Sequence, residues 1–151
     1  MSWTAKLAEL GVELPPAAAP AAKYVPAVRT GNLVYTAGQI PIADGKIAAT
    51  GKVGDEISTE DAKAHARLCA LNALAAVHDL VGLDTVVRVV KVVGFVASAN
   101  GFTGQPEVIN GASEFLGEVF GDAGKHARSA VGVAELPRGV PVEVELIVEV
   151  A

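Results

Sequence analysis

One arginine in an otherwise apolar segment has the clearest chemical implication. Arg128 lies in the run His126-Ala127-Arg128-Ser129-Ala130-Val131-Gly132. Burying a guanidinium among small apolar side chains costs free energy unless it meets an anion. That anion is either a substrate carboxylate, held by two parallel hydrogen bonds, or a glutamate of the last strand. A third interpretation places Arg128 in solvent at the start of its strand, and the spacing leaves all three open.

A glutamate near the C-terminus is a candidate proton acceptor. Glu143 shares the polar side of an alternating segment with Glu145 and Glu149. A carboxylate whose pKa is raised by burial can polarise water or move a proton. The turn at 136–139 predicts a hairpin that brings Glu143 beside the strand of Arg128. The pattern alone does not distinguish Glu143 from the two glutamates that follow it.

Other candidates have ordinary structural explanations as well. Tyr24 either caps a pocket with its ring or packs the preceding segment against the protein. Asn110 either hydrogen-bonds a ligand or is a common helix-surface residue. Gly38 either exposes a backbone amide after a strand or belongs to a plain turn. His126 has an acid–base group suited to neutral pH, although a histidine in a loop is usually only solvated.

Composition excludes several classes of site. The chain has 151 residues and a net charge of −5, with 51% hydrophobic residues, which predicts one domain with a sizeable core. A single cysteine, Cys69, excludes an internal disulfide and a multi-cysteine zinc site, and it is expected to be a small core residue. The acidic balance argues against nucleic-acid binding. With no signal peptide and no apolar run long enough to cross a membrane, we expect a cytoplasmic protein.

The first third of the chain contains the less regular elements. Residues 1–20 are predicted to form an N-terminal helix over 1–10 and a Pro/Ala-rich extended strap, ahead of a single α/β domain over 21–151. A strand is predicted over 33–37, introduced by a turn at Gly31-Asn32. Asp44-Gly45 predicts a second turn, followed by a strand from Lys46 toward Val53.

The remainder predicts two helices and three strands. Ser58 or Thr59 caps a helix that Gly82 ends. Its buried stripe is expected to be Ala64, Leu68, Leu71 and Ala75. Strands are predicted over 85–96 and 127–134, a second helix from Pro106 to about Phe120, and a strictly alternating last strand over 140–150. The order ββαβαββ predicts a mixed sheet with two helices on one face, leaving the other face to water or a second subunit.

Several segments taken together resemble one family. They are residues 24–41, which contain Gly38-Gln39-Ile40-Pro41, residues 128–137, which end in Leu136-Pro137, and residues 142–145. This set resembles the RidA (YjgF) family of reactive-intermediate deaminases. The resemblance implies a chorismate-mutase-like α/β sandwich, assembled as a homotrimer around a central barrel with clefts between subunits. It also implies hydrolysis of 2-imino and enamine acids, such as 2-aminoacrylate and 2-iminobutyrate, to 2-keto acids and ammonia without metal or organic cofactor.

The resemblance also implies roles for individual residues. Arg128 matches the arginine that binds the substrate carboxylate, and Glu143 matches the glutamate that positions the attacking water. The implied substrate-binding set is Tyr24, Gly38, Asn110, Arg128, Ser129 and Ala130. Two positions depart from the family pattern, since Ala37 and Ala130 stand where many members have Ser and Cys. These departures indicate a side branch and keep a second hypothesis open, a non-catalytic module that binds small carboxylates. A ribonuclease or translation-inhibitor function is less favoured because the chain has no basic stripe.

Overall fold

The computed structural model describes residues 2–20 and 22–151. Met1, in the predicted N-terminal helix, and Ala21, the first residue of the predicted domain, lie outside the described residues. The helices are α1 (Trp3–Glu9), α2 (Thr59–Val81) and α3 (Gln105–Phe120). The strands are β1 (Ala27–Thr30), β2 (Leu33–Thr36), β3 (Ile42–Ala43), β4 (Lys46–Ile47), β5 (Val86–Ala97), β6 (Ala127–Val133) and β7 (Val142–Val150).

Five strands form one mixed sheet in the order β1-β2-β7-β5-β6. Neighbouring strands run antiparallel except β5 and β6, which are parallel. The β6 strand is therefore an edge strand, and β5 separates it from β7. Helices α2 and α3 pack against each other and cover one face of the sheet. The predicted α/β sandwich of a mixed sheet with two helices on one face is confirmed.

The alternation of β7 shows which side of the sheet is covered. Its five apolar positions from Val142 to Val150 are buried, and the four residues between them are only partly buried. Side chains of a strand point alternately to its two faces, so the apolar set lies under the helices. The other set, which includes Glu143, points to the face without helices, named here the open face.

Local capping signals explain the bounds of α2. The Ser58 hydroxyl accepts a hydrogen bond from the Asp61 amide at 3.1 Å, and Gly82 ends the helix with a φ of 80°. The predicted buried stripe is wrong in part, because Ala64 is exposed and Leu68 and Leu71 are only half-buried, whereas Ala75 is buried. They border a groove beside the segment that follows α1, whereas an alanine-rich face of α2 packs on the sheet.

Two sequence predictions about strands are also wrong. The stretch from Lys46 toward Val53 contributes only Lys46–Ile47 to a two-stranded ribbon, and farther along it Gly51 and Gly54 take positive φ angles that are typical of turns. The sheet strand β1, not predicted, precedes Gly31-Asn32, which forms the turn of the β1–β2 hairpin.

The N-terminal helix is fastened to the helix layer by one aromatic side chain. The Trp3 indole donates a hydrogen bond to the Val86 carbonyl at 2.7 Å, and its ring lies edge-on to Phe120. Thr4 adds hydrogen bonds from its amide and its hydroxyl to the Asp84 carboxylate. These contacts direct the strap that follows α1 back across the protein, where Ala18, Ala19 and Pro20 reach the cleft described next.

Candidate active site

Glu143 lies in a cleft of 160 Å³, named here the glutamate cleft. Its wall beside the carboxylate is the loop after β2, which two backbone hydrogen bonds between Gln39 and Val144 hold against β7. The loop approaches so closely that a Cβ atom on Gly38 would lie 2.8 Å from the Glu143 Cδ atom and 2.9 Å from Oε2. Glycine is therefore required at position 38 for Glu143 to occupy this conformation.

The surroundings of Glu143 favour its protonated form. Desolvation by burial raises the pKa of Glu143 above its usual value, and the charge of nearby Glu145 raises it further. A carboxylate with a raised pKa takes up a proton more readily, which suits a general base. Solvent still reaches the half-buried group through the cleft.

The rest of the cleft lining comes from the strap with Tyr24 and from the turn after β6. Tyr24 contributes a ring that is 52% exposed, and the turn after β6 contributes Arg138, whose backbone is left-handed at φ 60°. Buried Asn72 of α2 donates to the carbonyls of Ile40 and Ile42, both at 3.1 Å, and so fixes the wall. Sequence reasoning missed Asn72, although a lone amide among the alanines of α2 was a visible signal.

Arg128 occupies a second location, named here the arginine site. Its Nη1 donates to Asn110 Oδ1 at 2.8 Å and to Ser113 Oγ at 3.2 Å, while Nη2 lies 3.4 Å from the Pro106 carbonyl. All three partners are neutral and belong to α3, so the arginine side chain lies on the helix side of the sheet. Sequence reasoning identified Asn110 but missed Ser113, which comes three residues later on the same helix.

The structure does not bring all the predicted site residues together within one chain. Tyr24, Gly38 and Glu143 share the glutamate cleft, whereas Asn110 and Arg128 meet at the arginine site. Ala130 packs against the core on the arginine side. Ser129 lies between Arg128 and Ala130 in the strand. Because successive side chains of a strand alternate between its two faces, the Ser129 side chain points to the open face.

The predicted hairpin between the strands of Arg128 and Glu143 is wrong. In register, Arg128 pairs with Val92 of β5, and Glu143 pairs with Phe95 of the same strand. The two residues are thus two interstrand spacings of ~4.8 Å apart and three positions apart along the strands. They also lie on opposite faces of the sheet. An ion pair between Arg128 and a glutamate of the last strand, one of the three interpretations that the sequence leaves open, is absent among the described residues.

The described residues contain no cluster of side chains suited to bind a metal ion. Within residues 2–20 and 22–151, no three His, Cys, Asp or Glu side chains lie close enough to share a metal ion. In the same residues, no helix is both long enough and apolar enough to span a membrane.

Comparison with known proteins decides the family. The family model described as Endoribonuclease L-PSP matches residues 15–150. The chain belongs to the YjgF/RidA family. The resemblance noted from the motifs at 24–41 and 128–137 is thereby confirmed.

Two relatives illustrate the range of this YjgF/RidA family. "Protein TCP17" of Trypanosoma cruzi is 46% identical over 147 residues, which cover 96% of this chain and 92% of that protein. A 2-iminobutanoate/2-iminopropanoate deaminase of Salmonella typhimurium is 36% identical over 132 residues, covering 85% of this chain and 90% of the enzyme. The family relationship thus extends to proteins named for imine deamination.

Solved structures of the family share the fold to different degrees. Protein Atu1372 of Agrobacterium tumefaciens, described as of unknown function, is 46% identical with a TM-score of 0.90, covering 99% of this chain and 94% of that one. The YjgF gene product of E. coli is 32% identical with a TM-score of 0.64, covering 90% and 93%. E. coli TdcF with bound serine is 29% identical with a TM-score of 0.62, covering 91% and 93%.

Proposed function

We propose that this YjgF/RidA chain hydrolyses 2-imino and enamine acids of the 2-iminobutyrate and 2-aminoacrylate type to 2-keto acids and ammonia. Arg128 holds the substrate carboxylate, and Glu143 orients the water and takes its proton. Membership of a family that includes named imine deaminases supports the reaction class. The bound serine in TdcF, itself a small amino acid, supports a ligand with a carboxylate.

The observation that carries the proposal is the set of partners around Arg128. A guanidinium has five N–H donors and no acceptor. Both hydrogens of Nη1 point to neutral oxygens, those of Asn110 and Ser113. Nη2 has only a long contact, to Pro106, so the edge formed by Nε and Nη2 is the one suited to two parallel bonds with a carboxylate. The positive charge has no counter-ion among the described ion pairs, and a substrate carboxylate would supply it.

The chemistry needs little from the protein beyond orientation. The carbon of an iminium group is already electrophilic, and an enamine reaches the imine by adding a proton to its carbon. Water adds its oxygen to that carbon while its proton passes to Glu143, which gives a carbinolamine. Glu143 then returns the proton to nitrogen, the C–N bond breaks, and the hydroxyl proton passes back to Glu143 as the keto group forms. The released ammonia takes that proton and leaves as ammonium. A carboxylate with a raised pKa is suited to accept and return this proton.

A substrate that touches both residues requires two copies of the chain. Arg128 and Glu143 of one chain lie on opposite faces of the sheet, and a small acid cannot span that separation. The open face carries exposed apolar side chains, which a partner subunit would cover. They include Val28, Tyr35 and Val131, between 43% and 52% exposed. We propose a homotrimer in which the arginine site of one subunit completes the glutamate cleft of the next.

The direct test generates 2-iminobutyrate with a threonine dehydratase and follows its decay with parent or Arg128→Ala protein. We expect the parent to accelerate decay and the variant to lose at least about a hundredfold in kcat/KM, because a carboxylate anchor orients the substrate. Arg29→Ala, which removes an exposed arginine that lines neither site, is the matched control and keeps parental activity. Equal activity of the Arg128→Ala variant and the parent would refute the anchor role.

A second candidate function has a specific observation in its favour. Ala37 and Ala130 lack the hydroxyl and thiol that many family members carry near the substrate. A module that binds a 2-keto acid without turning over an imine would show ligand-dependent thermal stabilisation and no acceleration of decay. The same preparation therefore separates the two functions, and a salt titration with RNA tests nucleic-acid binding alongside them.

A further inference from the structure

Arg128 is the end of a chain of hydrogen bonds that begins at a backbone carbonyl. His126 Nδ1 lies 2.6 Å from the Gly124 carbonyl, and His126 Nε2 lies 2.9 Å from Ser113 Oγ. Ser113 Oγ in turn accepts from Arg128 Nη1 at 3.2 Å. The imidazole thus reaches the guanidinium through one hydroxyl group.

For a neutral His126, the chemistry of the groups sets the direction of every bond in this chain. A carbonyl oxygen only accepts, so the hydrogen of the neutral imidazole must be on Nδ1. Nε2 is then an acceptor, and the Ser113 hydroxyl donates its hydrogen to it. With its hydrogen used in this way, Oγ directs its lone pairs toward Arg128. His126 therefore determines which way the serine hydroxyl points.

We propose that Ser113 and His126 are positioning residues that hold the Arg128 guanidinium in the orientation that binds a carboxylate. Rotation of the guanidinium would break its Nη1 bonds to Asn110 and Ser113 together. While both hydrogen bonds are present, Nη1 is occupied, and the guanidinium presents its Nε–Nη2 edge to a carboxylate. The inference rests on the proposed function of Arg128, and it adds two residues to the site that the motifs did not indicate.

The surroundings argue that this chain serves the site more than the core. The buried apolar residues of α3, such as Val108 and Phe115, already attach the helix to the sheet. Ser113 and His126 are only half-buried and border an open groove on the protein surface. A hydroxyl and an imidazole in such a place add little to folding, so their substitution is expected to change ligand binding more than stability.

Steady-state kinetics test the proposal through Arg128. Ser113→Ala is expected to raise KM for 2-iminobutyrate about tenfold, with kcat changed less than twofold, since a hydrogen bond to a charged group is lost. Ser113→Thr, which keeps the hydroxyl, restores KM. In an Arg128→Lys background the same Ser113→Ala change does not raise KM further, because a lysine has no planar guanidinium whose orientation Ser113 could fix. Glu114→Gln, the next residue on α3 and an exposed one, is the control.

A readout independent of turnover keeps the test decisive. Nitrogen NMR of the parent is expected to show His126 protonated at Nδ1 and Arg128 with separate, slowly exchanging Nη signals, which merge in Ser113→Ala. If parent protein neither hydrolyses imine nor binds 2-oxobutanoate, the proposed function fails, while these signals still test the positioning. An Nε2-protonated His126, or the same Arg128 signals in both proteins, overturns the inference. So does an unchanged KM in an active Ser113→Ala variant.

Discussion

The glutamate cleft and the arginine site are built by different means. Backbone places Glu143, through the pairing of Gln39 with Val144 and the missing Cβ of Gly38. Side chains place Arg128, through Asn110 and Ser113 on the neighbouring helix. A backbone-built site tolerates exchange of nearby side chains but not an added Cβ, whereas a site built from side chains loses its geometry with any one partner.

The two regions also differ in the face of the sheet that they use. Glu143 points to the open face, and Arg128 points to the helix face at the β6 edge. The proposed carboxylate anchor, Arg128, and the proposed proton acceptor, Glu143, therefore lie in different regions of one chain. The division suits an assembly in which neighbouring subunits exchange the two halves.

The largest effect is expected from mixing two inactive proteins. Arg128→Ala and Glu143→Ala should each be inactive alone. In trimers co-assembled from equal amounts, about a quarter of the interfaces pair an intact arginine with an intact glutamate. This is because the chain that supplies the arginine and the chain that supplies the glutamate each carry the intact residue with even probability. Activity of the mixture is therefore expected at about a quarter of the parental value.

The control for this experiment keeps both substitutions on one chain. A doubly substituted protein co-assembled with an equal amount of parent leaves active only the interfaces between two parental chains, about a quarter of the total, which is about half the activity of the same parent left unmixed. Persistent inactivity of the Arg128→Ala and Glu143→Ala mixture, in trimers shown by differential tags to be mixed, would place both groups in a site within one chain.

A smaller but still large effect is expected from Gly38→Ala. The new Cβ would lie 2.8 Å from the Glu143 Cδ atom, so the carboxylate must move. A displacement of that kind is expected to lower kcat between about tenfold and a hundredfold, with the fold retained. Gly117→Ala on α3 is the matched control, since its Cβ meets no atom within 4 Å. Equal activities of the two variants would show that the position of Glu143 is unimportant.

The contrast between the regions also explains what the sequence could predict. The face of Glu143 follows from the strict alternation of β7, and the bounds of α2 follow from Ser58 and Gly82. These signals are local, since each depends on residues within a few positions of one another. The family motifs added the identity of Arg128 and Glu143 as the pair of interest.

The errors arose where distant segments meet. The short turn at 136–139 predicted a hairpin, yet its 3₁₀ turn with left-handed Arg138 carries the chain past β5 to the middle of the sheet. Which strand lies next to which depends on packing far along the chain, and no local pattern records it. Ser113 was missed for the same reason, because its importance comes only from its distance to Arg128 and His126.

A moderate effect on stability is expected from Asn72, which supports the glutamate cleft from α2. Asn72→Ala removes two N–H donors to the part-buried carbonyls of Ile40 and Ile42 and is expected to lower the free energy of unfolding by about 1–3 kcal/mol. Asn72→Asp has nearly the same shape but places acceptors against the carbonyls of Ile40 and Ile42, so it should destabilise more. Urea unfolding measures both, and the reverse order would contradict the assigned hydrogen bonds.

The smallest expected effect is a pH dependence of stability from Glu143. Its pKa in the folded protein is raised by burial and then by Glu145, so the folded state holds the proton more tightly than the unfolded chain. The stability this contributes is complete below the unfolded pKa and is lost as pH rises through the raised folded pKa. Glu143→Gln has no carboxyl group to titrate, so the variant does not lose this stability. Its melting temperature relative to the parent should therefore increase between the unfolded and the folded pKa. Solvent in the cleft keeps the increase small.

Glu145→Gln sharpens this last comparison, because it removes the second cause of the shift and leaves burial alone. Measured by thermal unfolding from pH 4 upward, the parent's loss of stability should become shallower in Glu145→Gln and vanish in Glu143→Gln. A melting-temperature difference between Glu143→Gln and parent that stays constant with pH would mean that Glu143 titrates as a freely solvated carboxylate. The cleft would then position water without raising the pKa of Glu143, and Arg128 would be the main source of electrostatic stabilisation in the site.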